Sequence, residues 1–240
     1  MLTTKKKKQG RRVSYGMCAL CNASGIPKRS VVKHLDECPK RVPVSESRDK
    51  TFHVVAYCPY DPLYWLHLEV PDTASLRIID AFLRSIWLEC CGHMSAFTID
   101  GGRYVAPEAG VAKEYGDQSM NGKLAEILSP GVQFSYEYDF GSTTELMLEV
   151  LAHGAPKAKQ GSIRLLARND PPVFPCHGCG NPATVLCQEC GEEAEDEESF
   201  KESFYCERCV DDRSKHPHDD ESMRMPAINS PRMGVCGYTG

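Results

Sequence analysis

Cysteine and histidine residues in the C-terminal third of the sequence have the spacing of metal ligands. Three Cys-x-x-Cys pairs are followed by two histidines that are separated by a single proline. The two intervening residues let both thiolates of a pair turn toward one ion, and eight such donors are enough for two tetrahedral zinc sites. The predicted ligands are Cys176, Cys179, Cys187, Cys190, Cys206, Cys209, His216 and His218.

Two pairings of these ligands fit the spacing. In a cross-brace, the first and third cysteine pairs bind one zinc ion, while the second pair binds another together with the two histidines. This order resembles that of B-box-type zinc modules and uses every ligand, so we favour it. In the alternative, the second and third pairs form a zinc ribbon, which leaves Cys176 and Cys179 to recruit His177 or an outside group. The acidic segment 192–198 is predicted to project from the module as a loop.

A further set of metal-ligand residues lies near the N-terminus. Twelve residues separate Cys21 of the pair Cys18–Cys21 from His34, and three separate His34 from Cys38. This spacing resembles that of the small ββα zinc finger, with cysteine in place of the last histidine. A helix beginning near Ser30 would present His34 and Cys38 one turn apart. The sequence therefore predicts three zinc ions per chain.

Charge is distributed unevenly along the chain. Residues 1–50 carry a formal charge of +9, residues 51–170 carry −6 and residues 171–240 carry −8. A basic head on an acidic body indicates that a polyanion such as nucleic acid meets the head, with an affinity that falls as salt rises. The residues expected to contact phosphates are Lys5, Lys6, Lys7, Lys8, Arg11, Arg12, Lys28, Arg29 and Lys33. The alternative is a solubilising basic tail beside a finger that docks to protein or is purely structural.

Composition is that of an ordinary globular protein. Hydrophobic residues make up 41% and charged residues 25% of the 240 positions, and no apolar run reaches the length of a membrane span. The lysine-rich beginning lacks the apolar region of a signal peptide. Because thirteen cysteines then indicate metal ligation in a reducing compartment rather than disulfides, we expect a cytoplasmic protein.

The middle of the chain has the hydrophobic patterning of a folded α+β body in which strands outnumber helices. Strands are predicted over residues 51–57, 64–70, 97–99, 132–139, 144–151 and 163–167, and helices over residues 74–87 and 124–128. The fold class is therefore α+β, with an antiparallel-rich body flanked by two small zinc-binding modules. The predicted divisions are 1–41 for the basic tail and finger, 42–50 for a linker, 51–170 for the body, and 171–240 for the cross-brace module and C-terminal tail.

One motif in this body resembles a known family. The run Tyr136-Glu-Tyr138-Asp139-Phe140-Gly141 lies in the predicted hairpin of residues 132–151 and is preceded by the segment 124–128. Further upstream are Trp65–Val70 and His93–Met94. Together these residues resemble the Ri-plasmid ORF-three-like domain, a family also labelled as an insertion-element passenger protein, TnpR. The resemblance covers about residues 51–168. It implies a body of repeated β-α-β-β units, as found in bacteria, archaea and their mobile elements.

No catalytic set is predicted in the body. Family members often continue the motif with an aspartate, a tryptophan and then a histidine, whereas this chain has Ser142, Thr143 and Glu145. Asp139 is expected to bond to its own turn. The adjacent Cys90 and Cys91 are interpreted as core residues, because neighbouring side chains diverge. The remaining histidines are interpreted as isolated packed or surface residues: His53, His67, His93 and His153.

Two hypotheses follow from these patterns. The first is a zinc-stabilised, non-catalytic binding protein that binds nucleic acid through its head, in a mobile-element or defence setting, and contacts protein through its C-terminal module. The second is a protein–protein adaptor whose zinc sites are purely structural. A shell of four protein ligands leaves no position for a reactive water, so the zinc ions are expected to be structural in both. Neither hypothesis includes a membrane or a small-molecule substrate.

Overall fold

The computed structural model describes residues 13–41, 50–106, 116–154 and 163–240. Within these ranges the protein is a mixed α+β structure dominated by antiparallel strands, which confirms the predicted class. The strands are β1 (Tyr15–Cys18), β2 (Ile26–Pro27), β3 (Thr51–Tyr57), β4 (Trp65–Pro71), β5 (Ser95–Ile99), β6 (Gly102–Val105), β7 (Gln118–Ser119), β8 (Gln133–Tyr138), β9 (Thr144–Gly154), β10 (Arg164–Asn169), β11 (Val185–Cys187), β12 (Phe204–Tyr205) and β13 (Arg224–Pro226). The helices are α1 (Val31–Glu37), α2 (Leu76–Leu83), α3 (Leu124–Ile127), α4 (Gln188–Glu192), α5 (Glu197–Phe200) and α6 (Glu207–Val210).

Most of the described strands belong to one large sheet. Its order is β2-β1-β10-β4-β3-β9-β8-β5-β6-β7, and each neighbouring pair except β6–β7 is antiparallel. The described elements contain two successive β-α-β-β runs, β4-α2-β5-β6 and β7-α3-β8-β9. Among the described helices, none has the length and apolar character needed to cross a membrane. The predicted linker lies largely outside the described residues.

The central strands of the sheet are buried on both faces. Almost every residue of β3 and β4 is buried, whereas β8 and β9 alternate between buried and partly exposed positions. On one face α2 buries Leu76, Ile79 and Leu83, and the chain then continues through a π-helical turn that buries Trp87 and Leu88. These side chains join the main hydrophobic core with the inward residues of β8 and β9.

The N-terminal finger shares this sheet with the central domain. Strand β1 pairs with β10, and Gly16 lies so close to the sheet that a Cβ atom there would be 2.4 Å from the ring of Trp65 and 2.2 Å from the carbonyl oxygen of Arg168. The Trp65 indole N–H donates to the hydroxyl oxygen of Ser14 at 2.7 Å. The predicted division between residues 1–41 and 51–170 is therefore not a break in the sheet.

The C-terminal module is a second, smaller unit. Strands β12, β11 and β13 form its three-stranded sheet, and Phe174 stacks on Phe204 with ring centroids 4.0 Å apart. The acidic segment predicted to be a loop is partly helical, because Asp196 caps α5 by accepting a hydrogen bond from the Ser199 backbone. After β13 the chain returns to the central domain, where the Ser230 hydroxyl donates to the carbonyl oxygen of Trp87 at 2.6 Å.

A buried histidine pair lies in the middle of the sheet. His53 Nε2 lies 3.0 Å from His67 Nδ1, so these two residues are not the isolated histidines that the sequence suggests. Burial lowers the pKa of His67 to about 3, and the nearby positive groups of His53, Lys28 and Arg41 act in the same direction. His67 is therefore neutral in the folded protein at any pH near neutrality.

This depressed pKa predicts a specific acid sensitivity. Between the unfolded pKa, about 6.5, and the folded value, the unfolded chain binds one more proton at His67, so stability falls as pH falls, by up to about 1.4 kcal/mol per pH unit. We expect His67→Gln to remove this contribution, so that the unfolding free energy of the variant falls less steeply as pH falls, by about 1.4 kcal/mol per pH unit at most. Chemical denaturation of both proteins at several pH values measures it, and the loss of metal at low pH affects both alike. Equal slopes would contradict the prediction.

Candidate metal centres

The described part of the chain contains four groups of metal-ligand side chains. In each group the ligand atoms all lie within 4.8 Å of one another, and each of the thirteen cysteines is a free thiol. The groups are Cys18, Cys21, His34 and Cys38; Cys176, Cys179, Cys206 and Cys209; Cys187, Cys190 and His216; and Cys90, Cys91, His93 and Cys236. These clusters could hold metal ions, and thiolate with imidazole is the donor set that zinc prefers.

Distances within the groups match a tetrahedral zinc shell. Bond lengths of about 2.3 Å to sulfur and 2.0–2.1 Å to nitrogen place two sulfur ligands about 3.8 Å apart and a sulfur and a nitrogen about 3.5 Å apart. In the N-terminal group, Cys18 Sγ lies 3.9 Å from Cys38 Sγ, and Cys21 Sγ lies 3.4 Å from His34 Nε2. Such short contacts between thiols are the separations that a shared metal ion imposes.

Local backbone geometry positions the N-terminal ligands. Asn22 adopts a left-handed conformation with φ of 61°, and its N–H donates to the carbonyl oxygen of Cys18, which closes the loop between the two cysteines. Helix α1 supplies His34, and Cys38 follows its last turn. A hydrogen bond from the backbone of Ala23 is the main reason that the pKa of Cys21 falls to about 7. The loop thus favours the thiolate form that binds metal.

The first C-terminal centre has the cross-brace pairing. Cys179 Sγ lies 3.7 Å from Cys206 Sγ, and the structure groups these two cysteines with Cys176 and Cys209 rather than with the second pair. Gly178 permits the approach, since a Cβ atom there would be 3.0 Å from Cys209 Cβ. The zinc ribbon considered above is therefore not the arrangement adopted.

The second C-terminal centre brings three of its four predicted ligands together. His216 Nδ1 lies 2.9 Å from the carbonyl oxygen of Val210, to which it donates. This bond fixes the tautomer in which Nε2 carries the lone pair, and Nε2 is buried with no hydrogen-bond partner among the described residues. That unpaired nitrogen faces the thiols of Cys187 and Cys190, as a zinc ligand would.

His218, the fourth predicted ligand, lies beside this group but outside it. Its ring centroid is 5.7 Å from that of His216. Its Nδ1 and Nε2 atoms lie 3.8 Å from a carboxylate oxygen of Glu189 and 3.3 Å from one of Glu193. The imidazole thus lies next to the three-ligand group, close to the carboxylates of Glu189 in α4 and of Glu193 at its C-terminal end.

The fourth group was not predicted from sequence. His93 Nε2 lies 3.3 Å from Cys236 Sγ, across 143 positions of the chain. The expectations that Cys91 is a core residue and that His93 is isolated are therefore wrong, since Cys91 is exposed and His93 lies beside the exposed Cys236, whereas Cys90 is half-buried and packs against the main core. The signal available in the sequence was weak, since no pair within the group has the Cys-x-x-Cys spacing.

Few of the predicted phosphate-contacting residues fall in the described part of the chain. Arg29 and Lys33 are exposed. Lys28 instead lies against the central domain, with Nζ 3.4 Å from the carbonyl oxygen of Pro62 and 5.3 Å from the ring centroid of Tyr57. Burial lowers the pKa of Lys28. Lys5, Lys6, Lys7, Lys8, Arg11 and Arg12 lie outside the described residues.

A large cavity separates the central domain from the C-terminal module. Its volume is about 1080 Å³, and aromatic side chains from both sides line it, including Tyr64, Phe174 and Phe200. Acidic side chains also line it: Asp61, Glu145 and Glu198. Such a cavity is large enough for part of a peptide.

Comparison with known proteins gives no family for this chain. No family model matches it, and no curated protein does. One solved structure that resembles it is a protein of unknown function from Methanosarcina mazei Go1, with a TM-score of 0.41 and 15% sequence identity over 50% of this chain and 68% of the other.

Single substitutions test whether both C-terminal histidines are zinc ligands. We expect His216→Ala to lower the zinc content by one ion, because its Nε2 atom completes the donor set with Cys187 and Cys190. We expect His218→Ala to lower it by the same amount, because a structural zinc site needs four ligands and the His218 ring lies beside that of His216. Native mass spectrometry measures the count, with His177→Ala, an exposed histidine of the same module, as control. Full zinc content in His218→Ala would assign the fourth position to another group.

Proposed function

We propose that this protein is a zinc-stabilised, non-catalytic binding protein that binds nucleic acid through its basic N-terminal head. The zinc part of the proposal is supported by the spacing of thiols and imidazoles within the metal-ligand groups. Groups of four protein donors leave no coordination position for a reactive water, so zinc there stabilises the fold instead of activating a substrate. The sequence resemblance described above adds a mobile-element or defence setting to the proposal.

One observation carries the nucleic-acid part: the charge of the head. Residues 1–50 have a formal charge of +9, whereas residues 51–170 carry a net charge of −6 and residues 171–240 carry −8. A polyanion is attracted to the head and repelled by the rest of the chain, so electrostatics favours one orientation of binding. Lysine and arginine contacts to phosphate release condensed counterions, which makes such binding strongly dependent on salt.

The exposed side chains of the finger support this orientation. Arg29 and Lys33 face solvent, and Tyr15 is 48% exposed. Tyr15 lies opposite Pro27 in the β1–β2 pair, two residues before Arg29. An exposed aromatic ring on a finger that also carries exposed basic side chains is a platform on which an unpaired base can stack. We therefore propose single-stranded nucleic acid as the better ligand for this surface.

A second candidate function is that of a protein–protein adaptor. It is favoured by the cavity of about 1080 Å³ between the central domain and the C-terminal module. Apolar and aromatic walls with carboxylates of Asp61, Glu145 and Glu198 would suit a segment with apolar and basic side chains. Zinc would be purely structural in this case, and nucleic acid would not be a ligand.

The test uses charge substitutions, because deletion of the finger would uncover β10 and Trp65. In the first variant Lys5–Lys8, Arg11 and Arg12 become glutamine, and in the second Arg29 and Lys33 do. Anisotropy titrations of labelled single- and double-stranded DNA and RNA are run over a range of salt. We expect each lost phosphate contact to reduce the slope of log affinity against log salt by about 0.7 to 0.9.

Lys123→Gln is the matched control, because it removes an exposed lysine of the acidic body. We expect it to bind like the unmodified protein. A stacking role predicts further that Tyr15→Ala weakens binding to single strands about 5- to 150-fold (roughly 1–3 kcal/mol) and leaves duplex binding almost unchanged. Binding that survives neutralisation of the head would contradict the proposed site. Absence of binding in every protein would leave the adaptor role as the better explanation.

A further inference from the structure

The group formed by Cys90, Cys91, His93 and Cys236 has the geometry of the predicted zinc finger. Cys91 Sγ lies 4.0 Å from Cys236 Sγ, and His93 Nε2 lies 3.3 Å from Cys236 Sγ. The corresponding distances in the finger are 3.9 Å between two sulfur atoms and 3.4 Å between sulfur and nitrogen. A disulfide needs about 2.05 Å between its sulfur atoms, so the arrangement fits a shared metal ion better than a bond.

Adjacent cysteines can face one ion here because they lie in a loop. The π-helical turn ends at Leu88, and the next strand begins at Ser95. Gly92 between them has φ of 71°, a conformation that favours glycine, and its N–H donates to a carboxylate oxygen of Glu89. Neighbouring side chains diverge in regular strands and helices. Cys90 and Cys91 lie outside both, so their side chains are free to face the same point.

The ligand loop is fixed by a buried ionic network. Asp80 accepts hydrogen bonds from Arg84 at 2.9 Å, from Ser95 at 2.6 Å and from Tyr136 at 2.7 Å. Arg84 in turn donates to the carbonyl oxygen of His93 at 2.7 Å. The backbone of His93 is therefore fixed by Arg84, which is itself held by Asp80, and neither residue is a proposed ligand.

Asp139 lies behind the imidazole of His93. The Nδ1 atom of His93 is 3.6 Å from a carboxylate oxygen of Asp139, longer than a direct hydrogen bond, and Nε2 lies against Cys236. A carboxylate behind a histidine ligand fixes the ring and its tautomer in many zinc sites. As expected from sequence, Asp139 also accepts a hydrogen bond from the Gly141 backbone, at 3.0 Å. Its position in the hairpin turn thus serves the neighbouring metal-ligand group.

The fourth ligand comes from a segment that the protein holds firmly in place. Arg232 is fully buried and donates to Asp139 at 2.6 Å, to the Thr144 hydroxyl at 3.0 Å and to Cys90 Sγ at 3.6 Å. Three thiolates and a neutral imidazole around Zn²⁺ carry a net charge of −1, which the Arg232 guanidinium offsets. Cys236 itself adopts a left-handed backbone with φ of 52°. Strained conformations of this kind are found where a ligand or clamp imposes them.

We propose that Cys90, Cys91, His93 and Cys236 bind a fourth zinc ion, which fastens the C-terminal segment to the central domain. The ion joins two parts of the chain that no local motif connects. It is independent of the proposed nucleic-acid function, because it lies on neither the finger nor the basic head. With its four protein ligands it is a closed, structural site.

The test compares two single cysteine substitutions. Cys236→Ser removes one ligand, and Cys58→Ser is the matched control, since Cys58 is the cysteine that belongs to none of the four groups. Native mass spectrometry of the full chain, purified with zinc and reductant, counts bound ions. We expect Cys236→Ser to carry one zinc ion fewer than Cys58→Ser. Cobalt-loaded protein should lose one thiolate–cobalt chromophore in the same variant.

A second measurement tests the fastening. We expect hydrogen exchange at residues 228–238 to become faster in Cys236→Ser than in Cys58→Ser, with unchanged protection in β3 and β4. Cys91→Ser should give the same loss of zinc and of protection, although it leaves the C-terminal segment itself unaltered. Equal zinc counts in all proteins would overturn the site, as would a Cys91–Cys236 disulfide found without loss of zinc. Protection that persists after the ion is lost would overturn the fastening.

Discussion

Groups of cysteine sulfur atoms packed 3.7 to 4.0 Å apart could share a metal ion, and a cation between them would offset the mutual repulsion of neighbouring thiolates. This constraint governs the small modules most strongly. In the hydrophobic cluster of the C-terminal module, the buried residues are Tyr205, Val210 and three cysteines, Cys176, Cys187 and Cys209. Even with the buried Leu186, Phe204 and Met225 this is a small apolar core to set against the loss of chain entropy, and a structural zinc ion would contribute about 10–16 kcal/mol of apparent binding free energy. Folding of the module and metal binding would then be one event.

The central domain has the opposite balance. Its core of large apolar side chains from β3, β4, β8, β9 and α2 is sufficient to stabilise a sheet without metal. What it does not supply by itself is a fixed position for the C-terminal segment. That position depends on polar contacts around Arg232, Asp139 and Ser230, which are buried and therefore costly to leave unpaired. A metal ion beside this network would join the C-terminal segment to the central domain through metal–ligand bonds.

Sequence reasoning succeeded where the determining interactions are local. Spacing predicted the N-terminal ligand group, because a Cys-x-x-Cys turn presents both of its sulfur atoms together. In the C-terminal module it left two pairings open, and the use of every ligand favoured the cross-brace, which agrees with the observed grouping of Cys176, Cys179, Cys206 and Cys209. Periodicity predicted β3 at its observed bounds and most of the other central strands to within a few residues. Sequence reasoning failed at Cys236, because Cys236 and Cys91 are 145 positions apart and no local motif near either residue indicates their contact. It also missed the pairing of β1 with β10, which depends on Gly16 fitting over Trp65.

That last failure changes how the chain divides into functional parts. A motif with the spacing of an autonomous zinc finger suggests a detachable reader of nucleic acid, joined to the body by a linker. Instead, Trp65 and Leu166 of the central sheet are packed into the same buried cluster as Val31 and Leu35 of the finger. Removing the finger would expose a tryptophan and an unpaired strand edge, which promotes aggregation. The described part of the finger is thus an edge of the main sheet rather than a separate unit. A ligand that bound to the finger would therefore meet a surface whose orientation relative to the central domain is fixed by strand pairing.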